Sequence, residues 1–126
     1  MENIIKTFNI LTATDIKYLL SIKRYFETGK IKKVFIGRSL KVSRPSVNSE
    51  FKKLQKLEFI IQKTNYEVIL TDKCKDLFLI IDKYQRQLSF KFTSMLRCDY
   101  YVAQEMANLL LINKKFELID CLLKNN

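Results

Sequence analysis

One proline and two glycines, Pro45, Gly29 and Gly37, are the only strong chain-breakers in 126 residues. Tight turns draw heavily on these residue types, because glycine accepts positive φ and proline fixes its own. A sandwich of many short strands would need more of them. The chain is therefore expected to be mainly α. With 48% apolar residues it can bury a core, and its length fits one domain or a small domain carrying a helical appendage. No repeat, low-complexity segment or Pro/Gly/Ser-rich linker interrupts it.

Periodicity places the helices. After a short N-terminal helix containing Ile4, Ile5 and Phe8, Thr12 or Thr14 caps a helix beginning near Asp15. Its apolar stripe reads Ile16, Leu19, Leu20, Ile22 and Phe26. Gly29 follows, where helices tend to stop. A second stretch, about residues 32–40, carries Val34, Phe35, Ile36 and Leu40. Ser43 then offers an N-cap, and Pro45 fits a first helical turn because its missing N–H needs no partner there. The helix that follows buries Val47, Phe51, Leu54 and Leu57. Two helices across a short break, the second polar and basic on its outer side, make the pattern of a helix-turn-helix.

Phe59–Lys63 and Tyr66–Leu70 read as two strands, with Thr64-Asn65 turning between them. A hairpin after the second helix of such a motif is a wing. Thr71-Asp72 caps a long helix with Leu77, Ile80, Ile81, Tyr84, Leu88, Phe92 and Met95 on one stripe. Further helix is expected through Ala103–Leu110 and Phe116–Leu123. Leu109-Leu110-Leu111-Ile112 is apolar all round, which calls for a partner surface as well as a core.

Charge divides the chain. Residues 1–70 hold 14 Lys/Arg against 6 Asp/Glu, whereas residues 71–126 hold 9 against 7. Lysine-rich composition alone would scatter the cations more evenly. A basic half beside a nearly neutral half implies a polyanion for one and something else for the other. The candidate DNA-facing residues are Arg38, Lys41, Ser43, Arg44, Ser46, Asn48, Ser49, Lys52, Lys53 and Lys63. Among them Arg44, Asn48 and Ser49 suit base edges, and the lysines suit phosphates. The plainer reading is that these groups only solvate a helix face. Leu88, Phe92, Leu109, Leu110, Leu111, Ile112, Phe116, Ile119, Leu122 and Leu123 are expected at a homodimer interface, their alternative being internal core. The expected division is a DNA-binding domain over residues 1–75 and a helical dimerisation domain over 76–126.

The sequence resembles the winged-helix and dimerisation domains of the diphtheria-toxin-repressor family, the iron- and manganese-dependent repressors. Tyr18-Leu19 and Ile22, then Ser43-Arg44-Pro45-Ser46-Val47, carry the resemblance. So do the step Lys53-Leu54-Gln55-Lys56-Leu57-Glu58-Phe59-Ile60 and the exit Val68-Ile69-Leu70-Thr71-Asp72-Lys73, with Cys74 where glycine is usual. The resemblance implies a major-groove helix, a palindromic operator and metal control. On the last point the chain departs. It has no histidine, and the implied ligand positions hold Lys17, Leu20, Gln85, Ser89, Ala107, Asn108, Leu110, Leu111 and Ile112. Such residues cannot replace the charged and soft ligands of a metal site. No metal and no cofactor are expected, unless Asp99, Glu105, Cys98 or Cys121 serve in their place.

Catalysis has little basis. Without histidine there is no Ser–His or Cys–His pair, no two acids are spaced as a coupled pair, and two glycines cannot build a phosphate loop. Cys74, Cys98 and Cys121, odd in number and far apart, read as reduced thiols packed as small apolar groups, though Arg97 beside Cys98 leaves redox sensing open. Tyr100-Tyr101 are expected half-buried at an interface rim. Without a signal-peptide pattern or a bilayer-length apolar run, a cytoplasmic protein is expected. The leading expectation is a sequence-specific, double-stranded-DNA-binding regulator, dimeric and metal-independent. A protein-docking module, an RNA or single-strand binder and a metal-responsive repressor stay open beside it.

Overall fold

The computed structural model describes residues 2–64 and 66–124. Asn65 of the expected turn and the Ile4 side chain lie outside the described residues. The chain divides into two compact units, a central one of Thr14–Phe78 and a terminal one of Met1–Ala13 with Leu79–Asn126.

In the central unit, α2 (Ala13–Glu27) buries Ile16, Tyr18, Leu19 and Ile22. Phe26, expected on that stripe, is exposed: it lies in the final turn, where the chain already bends toward Gly29 at φ 101°. Helix α3 (Lys33–Leu40) buries Ile36 and leaves Val34 exposed, so the apolar run there is only partly core. It closes on Lys41 at φ 56°, whose N–H reaches the carbonyls of Arg38 and Gly37. A left-handed residue other than glycine costs roughly 1–2 kcal/mol, so the surroundings hold this turn in place.

Helix α4 (Arg44–Lys56) starts as its sequence dictates. The Ser43 hydroxyl accepts from the Ser46 N–H at 3.3 Å, and Pro45 sits in the first turn. Val47, Phe51 and Leu54 are buried, while Leu57 is the half-buried C-cap. Strands β1 (Ile60–Gln62) and β2 (Val68–Leu70) pair antiparallel, with Ile60 opposite Leu70 and Gln62 opposite Val68. Both are shorter than expected. Tyr66 belongs to the turn, at φ 65° with its N–H on the Lys63 carbonyl, and the Lys63 N–H reaches Glu67.

Thr71 locks the hairpin's exit. Its hydroxyl donates to the Glu58 carbonyl at 2.6 Å and accepts from the Cys74 N–H, which caps α5 (Asp72–Leu96). Cys74 is fully buried, and burial pushes its thiol up to about 12, which makes it an inert packing group.

The terminal unit holds α1 (Glu2–Asn9), residues 79–96 of α5, α6 (Tyr100–Ile112) and α7 (Phe116–Lys124). Asp99 caps α6 by accepting from the Val102 N–H at 2.9 Å. Phe8 meets Phe116 edge-on, ring centroids 5.5 Å apart. Ile81, Leu88, Phe92, Ala103, Ala107, Leu111 and Ile119 are buried, whereas Met95 is exposed at the end of its stripe. Cys121 is exposed too, contrary to its expected packing. Among the described residues no helix is long and apolar enough to cross a membrane. The architecture is mainly α with a two-stranded wing, as expected from the sequence.

Candidate nucleic-acid interface

Nine of the ten candidate DNA-facing residues are exposed, and the tenth, Asn48, is half-buried. All ten lie in the central unit. Arg38 and Lys41 come from the end of α3, Ser43 to Lys53 from α4 and its cap, and Lys63 from the wing. Ser43 and Ser46 have their hydroxyls 2.9 Å apart, so they first serve the helix start. The Gln62 N–H donates to Gln55 Oε1 at 2.8 Å, which ties the wing to α4.

Two members are engaged inside the protein. Lys53 Nζ lies 2.9 Å from Asp15 Oδ2, and Asp15 is wholly buried. Asn48 Oδ1 accepts from Lys33 Nζ at 3.3 Å. That ammonium also lies 5.5 Å from the Phe51 ring centroid. Burial, then the charge of Lys52, holds Lys33 below the usual ammonium range. Lys33 was not among the expected site residues. Its apolar neighbours Val34 and Phe35 had marked it as part of a helix, and only the α3–α4 packing brings it to Asn48.

The Glu50 carboxyl is influenced by Asp15, a partner that spacing along the sequence does not reveal. They are 35 positions apart, and the packing of α2 with α4 unites them. Burial, the hydrogen bond to Asp15 and then Asp15's charge raise the Glu50 carboxyl to about 8, against the pull of Lys53. A proton on Glu50 would then be shared with Asp15, and Lys53, 2.9 Å from Asp15 Oδ2, supplies the counter-charge. Because the folded pKa is raised, folding takes up this proton. Stability from this group is full below the ordinary carboxylate value of 4.5 and is lost as pH rises through about 8. Thermal melts at pH 5, 7 and 9 should show this decline, on the order of 1 kcal/mol after solvent screening of a partly exposed group. Glu50→Gln should flatten the decline and melt higher than the parent at pH 9. Equal pH profiles for the two proteins would sink the assignment.

Two clefts flank the basic face. One, of about 490 Å³, opens over Val34, Gly37, Val42 and Val47, with Lys33, Arg38, Arg44, Asn48 and Tyr66 around it. The other, of about 750 Å³, runs from Gly29–Val34 to the wing residues Gln62, Lys63, Thr64, Tyr66, Glu67 and Val68. Lys30, Lys32 and Lys63 make its lining basic. Tyr66 borders both clefts and is 93% exposed. Lys30, Lys32 and Tyr66 extend the expected site. The signal for the two lysines was the density of cations between residues 30 and 56, whereas Tyr66 was expected at the start of the second strand.

In the terminal unit, Leu88, Phe92, Leu111 and Ile119 of the expected interface are buried within the chain. Leu110, Ile112, Phe116, Leu122 and Leu123 are half-buried, and Leu109 is exposed. The open apolar side chains include Leu79, Phe90, Met95, Leu96 and Leu118, and Tyr100 and Tyr101 are exposed rather than half-buried. Tyr101 and Leu109 stand two helical turns apart on one side of α6.

The residues at the implied metal positions do not fit a divalent cation. Gln85 is buried and its Nε2 donates to Asn108 Oδ1 at 2.7 Å, while Ser89 is wholly buried. Neutral amides and a hydroxyl supply neither the charge nor the softness such a site needs. Among the described residues no group of three His, Cys, Asp or Glu is arranged to hold a metal ion. Asp99 and Cys98 are engaged locally, one as a helix cap and the other 3.8 Å from the Phe92 carbonyl.

No protein-family model and no curated protein sequence matches the chain. Solved structures do. A hypothetical protein from Sulfolobus solfataricus aligns over 89% of this chain and 86% of its own, at 26% identity and a TM-score of 0.60. T. acidophilum IdeR aligns over 86% of this chain with a TM-score of 0.69 and 20% identity. ScaR with bound Zn²⁺ aligns over 89% at 26% identity and a TM-score of 0.62. The chain spans about half the length of these two, 52% and 54%. ScaR is a manganese-activated repressor, in keeping with the iron- and manganese-dependent repressors that the sequence resembles.

Proposed function

We propose that this chain, which shares the winged-helix fold of the diphtheria-toxin-repressor family, is a sequence-specific binder of double-stranded DNA that regulates transcription as a homodimer without a metal switch. One observation carries the reading: the capped helix α4 presents Arg44, Ser49 and Lys52 outward, on a unit that also exposes Arg38, Lys41 and Lys63. Phosphates would supply affinity through the lysines, and Arg44, Asn48 and Ser49 would discriminate base edges. DNA reading is assigned to the central unit and pairing to the terminal unit. A non-enzymatic role in the cytoplasm completes the proposal.

The metal-independence rests on the Gln85–Asn108 amide pair, which already joins α5 to α6 where the family resemblance calls for ligands. Titration of the full chain onto duplex from its own upstream region, with manganese and then with chelator, tests the whole reading. The expected result is one preferred site, bound at least about 10³-fold more tightly than random duplex and unchanged by chelator. Binding that vanishes with chelator would overturn the metal-independent part. Indifference to sequence would overturn the regulator itself.

Pairing is tested separately. Tyr101→Glu combined with Leu109→Glu adds two carboxylates beside Glu105 on an exposed side of α6. Light scattering should then read 15.0 kDa, against twice that mass for the parent. A parent that is already monomeric would remove the dimer from the proposal.

A further inference from the structure

The cleft over the α3–α4 turn has a chemistry that DNA backbone alone does not answer. Its floor is apolar, formed by Val34, Val42 and Val47, with Gly37 contributing no side chain. Val34 is 48% exposed and Val42 37%, so two of the three valines are wetted. Around the floor stand three cations, Lys33, Arg38 and Arg44, and no carboxylate lines the cleft. Three like charges around an apolar surface form an unbalanced site. A volume of about 490 Å³ lies within the range of small-molecule sites, about 300–1,000 Å³.

We propose that this cleft binds a small amphipathic carboxylate, an aromatic or aliphatic acid whose body covers the valines and whose carboxylate meets the arginines. Inorganic phosphate would satisfy the cations and leave the valines wet. A neutral hydrocarbon would do the reverse. An acid with an apolar body satisfies both, and a guanidinium fork pairs well with a carboxylate. Arg38, Arg44 and Asn48 would then be shared between this ligand and the duplex, so the two exclude each other. The acid would act as an inducer, a signal that needs no metal. This regulatory step rests on the proposed DNA reading, whereas binding of the acid does not.

The probe is 2-naphthoate, titrated into the full chain without DNA and followed by amide shifts and calorimetry. The expected Kd is on the order of 10⁻⁴ M, with shifts at Val34, Gly37, Val42 and Asn48. Naphthalene-2-methanol and inorganic phosphate should each bind at least about tenfold more weakly, about 1.4 kcal/mol. Val42→Asp puts a repelling charge on an exposed part of the floor and should abolish naphthoate binding. Arg38→Gln, a surface change that leaves packing alone, should weaken it severalfold. Equal affinity for the acid and the alcohol, shifts confined to the terminal unit, or no binding would each overturn the proposal. Added to a preformed duplex complex, naphthoate should release the DNA. Duplex that binds and is not released would overturn the inducer role, whereas a chain that binds naphthoate and no duplex would overturn the DNA reading alone.

Discussion

Raising salt from 50 to 200 mM is expected to weaken duplex binding about 10³- to 10⁵-fold, the loss that accompanies six to ten neutralised phosphates. The cations available for this are countable. Lys30, Lys32, Arg38, Lys41, Arg44, Lys52, Lys56 and Lys63 are exposed on α3, α4, the wing and the segment that leads into α3. Lys53 contributes less because Asp15 already holds its ammonium at 2.9 Å, and Lys33 less because it is half-buried against Phe51 and Asn48. Each phosphate contact adds about 0.9 to the slope of log affinity on log salt. Lys52→Ala should lower the slope by roughly one per protomer across all sequences, whereas Arg44→Ala should also relax the preference for one site. Fluorescence anisotropy at four salt concentrations reads both. A slope near zero would mean that the basic face meets no phosphate backbone.

The second large effect is on the helix that carries these residues. Phe51→Ala should destabilise the protein by about 3–5 kcal/mol, the usual cost of emptying a wholly buried aromatic site. Phe51 is among the largest fully buried side chains and anchors the middle of α4. Its removal also strips Lys33 of the ring beneath its ammonium. For a domain of this size such a loss lowers the melting temperature by more than about 10 °C. Lys52→Ala, one position along and exposed, should move stability by less than about 0.5 kcal/mol. Calorimetry on the two variants separates anchoring from contact, and a loss under 1 kcal/mol at Phe51 would mean that the α4 anchor lies elsewhere.

Local signals were legible because they act over a few residues. Ser43 followed by Pro45 could only start a helix, and the spacing of Val47, Phe51 and Leu54 named its buried side. The wing followed from two apolar runs and a short polar gap, though the left-handed backbone at Tyr66 shortened it. What escaped depends on distance along the chain. Nothing near Asp15 announces Glu50, and nothing near Lys53 announces that its charge is answered by Asp15. Asn48 looked free to face DNA until α3 brought Lys33 to it. In the terminal unit, periodicity put Phe92 and not Phe90 on the apolar stripe of α5, but it could not tell internal core from dimer interface. Phe92 is covered and Phe90 is not, two residues apart on one helix.

Gly37 draws a dimensional limit around all of this. A Cβ placed there would stand 3.3 Å from Val47 Cγ2 and 3.5 Å from the Val42 carbonyl oxygen. The distance between α3 and α4 is therefore set by a hydrogen atom, and even an alanine would ask Val47 to yield by a few tenths of an ångström. Base-edge contacts of the kind proposed for α4 would tolerate errors of about the same size. In the proposed DNA reading, the accuracy of discrimination between one sequence and another would thus be inherited from an absent methyl group, on the helix that precedes the proposed reading helix.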